Sequence, residues 1–372
     1  MRKIFLTAIA LLSMASASVF GMYGVDTDWI NFLTHGNQFR ARLDQLGFTL
    51  GNDTIKGTFG FDNNAGYGGV YGSLFSTADG IHYDFKPSIS MGLGYTSSLI
   101  SVGVGYNVTL GPKGQRYNGK ADPKTVQEAA HTPVLVLNAL DNAFRMAIPI
   151  QVYVLNDKSE AGAKNSINAV SVDSQFRYYT GLDMLPQIRL YLRYGGANYK
   201  AGAESGKIGE SFGFDFRLYF GSMVEEVALQ PYVKLVYNGA LGKYHNNTRI
   251  EAVKVMNSGN IGSGNYTVPN LQLAKSAWNL NLVAGLGLTA NSDIVSLYLE
   301  PSLGLKVNQA GSTDKNAKET YDLGYDVYAE IYITPLKNLE WYFEASIGNV
   351  DTTTKGVAFA GTTGITWYLP AL

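Results

Sequence analysis

The chain has 372 residues, of which 46% are hydrophobic and only 16% charged, and its formal net charge is -1. That balance leaves no basic footprint for nucleic acid. The absence of cysteine excludes disulfides, thiolate metal sites, cysteine nucleophiles and lipid attachment at a cysteine.

At the N-terminus, Arg2 and Lys3 precede an apolar run over 4–12, and Ala15, Ser16 and Ala17 offer a small-residue cleavage site. This pattern predicts a secretory signal peptide over 1–17. No later segment is continuously apolar for the length a spanning helix needs. The segment 18–53 is ambiguous. Trp29, Ile30, Phe32, Leu33, Phe39, Leu43 and Leu46 fit helical stripes, while Phe39, Ala41 and Leu43 also alternate with Arg40, Arg42 and Asp44. Either a short helix or plug in a lumen, or a first strand ending at Gly51, Asn52 and Asp53, satisfies the pattern. A strand returns over 55–61, and the glycine-rich piece 66–75 reads as another short one.

From 81 to 110 the period is two. Ile81, Tyr83, Phe85, Ile89, Met91, Leu93 and Tyr95 point one way, and Ile100, Val102, Val104, Tyr106, Val108 and Leu110 repeat this beyond a turn near Ser97 and Ser98. The intervening positions carry small or polar groups, including Gly92, Gly94, Gly103 and Gly105, which cannot line a dry core. A hairpin with one wholly apolar face suits a barrel in lipid better than a soluble sandwich. Similar pairs follow at 132–139 with 144–154, 170–179 with 188–194, 212–220 with 229–237, 278–288 with 297–305 and 323–333 with 339–347, and a last strand occupies 357–369.

Short turns alternate with long connections at 111–130, 156–167, 195–208, 239–274 and 308–321. Loops segregated by length are a habit of bacterial barrels, with short turns in the periplasm and long loops outside. The predicted fold is therefore all-β: a transmembrane antiparallel β-barrel of roughly 14–16 strands over 54–372, in the bacterial outer membrane, with both termini periplasmic. Pro87, Pro149, Pro231 and Pro301 fall inside strands and are expected at bulges. Ile365, Trp367 and Leu369 alternate around Tyr368 as in a closing strand, although Pro370, Ala371 and Leu372 trail past it.

Function is read from the inward face. The alternation sends Arg145, Arg177, Arg189, Arg193, Arg217 and Lys234 into the lumen on one arc, and Glu300, Asp326, Glu330, Glu340 and Glu344 on another. Asp173, Asp215 and Lys306 are exceptions. Separated arcs create a transverse field across water, which orders dipolar solutes and sorts ions. Tyr95, Tyr106, Tyr178, Tyr194, Phe220, Tyr237, Trp278, Trp341 and Trp367 lie on or near the outward face, where amphipathic rings suit a lipid boundary. His82 and Asp84 share a strand face, but no serine completes a triad. His35, His131 and His245 show no metal-ligand spacing, and no glycine loop has a phosphate-binding context. No enzyme, cofactor or metal is expected. The partners expected are outer-membrane lipid, small hydrophilic solutes, host or matrix molecules at the long loops, and a second copy through the outward wall at 212–220. The Asn-, Gly- and Ser-rich stretch 239–274 either folds inward or projects outward.

The run from Trp29 through Asn31, Phe32, His35, Gly36, Phe39, Arg40, Arg42, Asp44, Leu46 and Phe48 to Gly51, Asn52 and Asp53 resembles the start of major surface proteins of oral treponemes. The resemblance covers about the first tenth of the mature chain. It implies an abundant spirochaete outer-membrane protein with pore-forming and host-contact roles, and carries over no catalytic residue. The expected function is passive diffusion of small hydrophilic solutes, with a surface adhesin or a hydrophobic-substrate transporter as alternatives.

Overall fold

The computed structural model describes residues 29–41, 45–63, 87–110, 126–157, 165–224, 227–252, 272–349 and 357–369. A 3-10 turn, Trp29–Thr34, comes first. The strands follow as β1 (Gln38–Ala41), β2 (Gln45–Gly51), β3 (Ile55–Asn63), β4 (Pro87–Tyr95), β5 (Ile100–Leu110), β6 (Val126–Ala139), β7 (Phe144–Asp157), β8 (Asn165–Tyr179) and β9 (Gln187–Ala201). Then come β10 (Glu204–Tyr219), β11 (Ser222–Val224), β12 (Val227–Ala240), β13 (Trp278–Asn291), β14 (Val295–Gln309), β15 (Thr320–Leu336), β16 (Leu339–Gly348) and β17 (Ala358–Leu369).

Every pairing among these is antiparallel and joins neighbours in sequence, except that β10 also pairs with β12 past the short β11 and that β17 returns to β1 at a seam through Phe39↔Leu369, Arg40↔Tyr368 and Ala41↔Trp367. Because β11 continues β10 along β12 in the same register, the wall has 16 staves. The barrel thus begins at Gln38, ahead of the expected boundary at 54, and both ends of its wall lie at the rim of the short turns.

Burial is inverted relative to a soluble fold. Leu93, Val104 and Phe359 are 60%, 61% and 74% exposed, while Ser88, Asn107 and Thr366 are 2%, 0% and 0% exposed. Water would penalise so continuous an apolar exterior, whereas hydrocarbon accepts it. The polar faces pair inside: Asn107 Nδ2 donates to Ser88 Oγ at 2.7 Å and Ser90 Oγ at 2.9 Å.

Two expectations are corrected. The stretch 195–208 is not a long loop. There β9 and β10 stay paired to a tight turn at Gly202 and Ala203, where Gly202 adopts φ 61°, a left-handed conformation that glycine takes without a Cβ clash. The prolines do not sit at bulges either. Pro231 pairs with Leu286 in register and Pro301 with Val327, and the register shifts recorded lie between Lys207 and Gly209 and between Ile333 and Leu336. An antiparallel residue sends its N–H toward one neighbour only, so a proline interrupts one ladder and leaves the other. The break separating β10 from β11 lies opposite Pro231, whose carbonyl accepts from Phe220 N at 2.7 Å. Pro87 opens β4. Residues 66–75, His82 and Asp84 lie outside the described residues.

Two segments fold against the inner wall. The 3-10 turn buries Trp29, Ile30, Phe32 and Leu33 against Val134, Val136 and Ala147. Its seat is made of strand glycines: a Cβ on Gly105 would stand 2.5 Å from the Trp29 ring, and one on Gly94 2.4 Å from Leu33 Cδ2. The chain after β12 also turns inward. Ile250 N donates to Ser211 Oγ and Ala252 N to Ser171 Oγ, both at 2.8 Å, and Ile250 and Ala252 pack with Tyr153, Leu155 and Ile167. The inward alternative for this loop is the one observed over 241–252; the remainder to 271 lies outside the described residues.

Candidate functional site

Each of the sequence-predicted lumen residues occupies the strand face opposite the exposed apolar side chains. The register adds an alignment that spacing within single strands cannot reveal. Arg145 pairs with Arg177, Arg177 with Arg189, Arg189 with Arg217, and Arg217 with Lys234. Directly opposite residues have Cβ atoms about 4.5–5.5 Å apart, and like charges there repel. A row of cations across β7, β8, β9, β10 and β12 therefore costs stability, which local partners offset.

Those partners differ along the row. Arg145 Nη1 donates to Asn31 Oδ1 at 2.9 Å and Thr34 Oγ1 at 3.1 Å, so it tethers the 3-10 turn. The guanidinium of Arg189 lies 4.5 Å from the centre of the Tyr219 ring, a cation–π contact worth about 0.5–2 kcal/mol. Arg217 binds both oxygens of buried Asp215, at 2.8 and 2.7 Å, and stands 4.9 Å from the Tyr191 ring. Two periods of the alternation beyond Arg189, Arg193 reaches Asp173 at 3.1 Å and Asp215 at 3.6 Å. The exceptions Asp173 and Asp215 are thus the anchors of the basic arc.

The acidic arc is built differently, from carboxylates held by phenols. Tyr232 OH donates to Glu300 Oε1 at 2.8 Å, Tyr298 OH donates to Glu300 Oε2, and Tyr328 OH donates to Glu330. Tyr332 approaches Glu344, Tyr368 OH donates to Glu340 at 3.1 Å, and Ser346 Oγ to Asp326 at 3.2 Å. Glu330 and Glu344 stand directly opposite each other. The arcs abut where Tyr219 and Tyr232 lie 5.8 Å apart, so the path from Arg189 to Glu300 is bridged by two rings. The sequence pattern at the lipid boundary does not include these inward tyrosines, although they share the alternation of the carboxylates; Tyr95, Tyr178, Tyr194, Trp341 and Trp367, which it does include, are exposed.

The structure brings Arg193, Arg217 and Lys234 together around a cavity of about 400 Å³ beneath Thr248 and Arg249 of the inward loop. The predicted carboxylates do not line it. Of the histidines, His131 shares a 2.6 Å hydrogen bond with Tyr106 on the outward face, and His245 Nε2 accepts from the Glu210 N–H at 2.9 Å. Among the described residues no cluster of His, Asp and Glu has the geometry of a metal site.

A family model described as "Serpulina hyodysenteriae variable surface protein" matches residues 2–368. No curated protein matches the chain. Among solved structures, the translocator domain of autotransporter NalP from Neisseria meningitidis aligns over 90% of this chain and 89% of its own, at 12% identity and a TM-score of 0.30.

Proposed function

The chain belongs to the Serpulina hyodysenteriae variable surface protein family, and from that premise we propose that its barrel is a channel through which small hydrophilic solutes cross the membrane by diffusion. The barrel lies in the bacterial outer membrane. The observation that carries the channel reading is the unbroken cationic row from Arg145 to Lys234, set apart from the tyrosine-held carboxylates of β14, β15 and β16. A barrel serving only as an anchor gains nothing from lining up like charges that repel, whereas a water-filled passage uses them. Separated arcs set up a transverse field that low-dielectric walls concentrate, so a passing anion and cation are drawn to opposite sides. The 3-10 turn and the 241–252 loop narrow the passage and bring a solute within reach of these groups. No catalytic step belongs to this reading.

The test is single-channel conductance of the refolded protein in a planar bilayer, with reversal potential recorded in a salt gradient. Discrete open steps are expected. Arg189→Gln, Arg193→Gln and Arg217→Gln, made singly, are each expected to shift the reversal potential toward cation preference. A protein that inserts and never conducts would overturn the channel.

That outcome would favour a second reading, a surface-binding protein. The connection between β3 and β4 spans 64–86 and that between β12 and β13 spans 241–277, both at the end opposite the short turns, and the family description names a variable surface protein. Long loops on a rigid wall are where binding residues concentrate.

A further inference from the structure

The cavity under the inward loop has a chemistry of its own. We propose that it is a binding site for a small, hydroxyl-bearing organic anion of the sugar phosphate class; this rests on the channel reading only in that the site lies on the solute's path. Three features point there.

The first is charge. Arg193, Arg217 and Lys234 of the wall meet Arg249 of the loop and Lys306 of β14, against the carboxylates of Asp215 and Asp322. Asp215 is occupied by the bidentate Arg217 and by Arg193, and Asp322 stands opposite Lys306 in the ladder. Arg249 is engaged with Asp173 and Glu251, and Arg193 also with Asp173. Five cations thus meet four carboxylates, Asp173, Asp215, Glu251 and Asp322, and a cationic surplus is a setting in which anions bind by charge-assisted hydrogen bonds.

The second feature is the amide wall. Asn238, Asn279, Asn281 and Asn308 line the cavity beside the cations. Asn238 Nδ2 donates to Asn279 Oδ1 at 3.1 Å, and Asn279 Nδ2 to Thr248 Oγ1 at 3.1 Å. This relay ends in Asn238 Oδ1, a buried acceptor with no hydrogen-bond partner in a side chain only 9% exposed. Amides, which both donate and accept, match a polyol as bare cations do not.

The third feature is what the lining leaves out. At about 400 Å³ the cavity sits at the small end of ligand sites. Among the described residues its apolar lining is Val236, Val283 and Val307, with no aromatic ring to stack on a base. That composition disfavours nucleotides, which are held by stacking, and leaves a compact anion rich in hydroxyls.

The experiment titrates the refolded full-length protein with glucose 6-phosphate, glucose and inorganic phosphate by calorimetry, and records channel current with each. The expected result is saturable binding of glucose 6-phosphate, with glucose and inorganic phosphate each at least about tenfold weaker, the scale of one lost charge-assisted hydrogen bond. Lys234→Gln and Asn238→Leu are each expected to weaken glucose 6-phosphate about tenfold, and Asn281→Ala, which leaves the charges intact, is expected to weaken it less. Equal affinity for inorganic phosphate, equal affinity for glucose, or no binding by the folded wild type would overturn the site. Binding without conductance sinks the channel and keeps the site; conductance without binding does the reverse.

Discussion

The lumen's most informative residues are those whose neighbours should repel them. Arg177, Arg189 and Arg217 stand opposite one another, yet each has a partner: Arg177 Nη1 donates to Asn31 Oδ1 at 3.5 Å, Arg189 lies on Tyr219 and Arg217 binds Asp215. His245 shows the opposite economy, a titratable group kept neutral by its surroundings. Burial lowers its pKa below the ordinary imidazole value of 6.5, with the Leu241 carbonyl 3.2 Å from Nε2 and then Glu210 pulling the other way and Lys207 reinforcing the shift. Its Nε2 accepts from the Glu210 N–H, and a protonated ring has no lone pair there to offer. The folded protein therefore binds fewer protons at this site than the unfolded chain, so docking of the 241–252 loop is intact above about pH 6.5 and weakens as pH falls below it. Limited proteolysis across pH 5–8 checks this. Cleavage within the loop is expected to rise on acidification in the wild type and to be pH-independent in His245→Gln; a loop equally protected at pH 5 would refute the assignment.

At the level of elements, glycines in strands do work that their propensity opposes. Gly105 and Gly94 weaken β5 and β4 as strands and at the same time form the seat for Trp29 and Leu33. Replacing Gly105 with valine gives a better strand residue whose Cβ falls 2.5 Å from the indole, so the 3-10 turn is expected to leave its seat while the wall survives. Conductance is expected to rise, and a protease added at the short-turn side to trim the N-terminal segment faster, with heat-modifiable mobility on gels unchanged; unaltered conductance would mean that the turn does not obstruct the passage. The same chemistry explains what was hidden in the sequence. Alternation made the faces of Arg145, Glu330 and their kin legible, because a period of two assigns a side without knowledge of the neighbour. Gly195, Gly196, Gly202 and Gly206 make 195–208 resemble a loop. Gly202 serves the turn itself, whereas Gly195 and nearby Gly209 are small because Ile250 lies on them: a Cβ on Gly195 would stand 1.9 Å from the Ile250 carbonyl oxygen and one on Gly209 2.6 Å from Ile250 Cδ1. Contacts of that kind, between chain segments far apart, leave no periodic trace, and neither does the cross-strand register that aligns the cations.

Over the whole molecule, the ladders on either side of β1 are among the shortest in the wall. β9 shares long ladders with β8 and β10 on either side, whereas β1 has four residues and meets β17 through the pairs at Phe39, Arg40 and Ala41. With no native cysteine to interfere, Ala41→Cys with Trp367→Cys places two thiols on directly opposed residues of that seam. The oxidised variant is expected to unfold at a higher temperature than its reduced form, by an increment of about 2–4 kcal/mol in stability. If a bond forms with no such gain, unfolding starts elsewhere. The seam also sets an order in time. Nearly every other pair in the wall joins strands consecutive in the chain and can form as they arrive, but Gln38–Ala41 waits for a partner made last. A chain that reaches the membrane without β17 keeps a raw sheet edge on its first strand, so the last strand to join the wall is also the one that seals the cylinder.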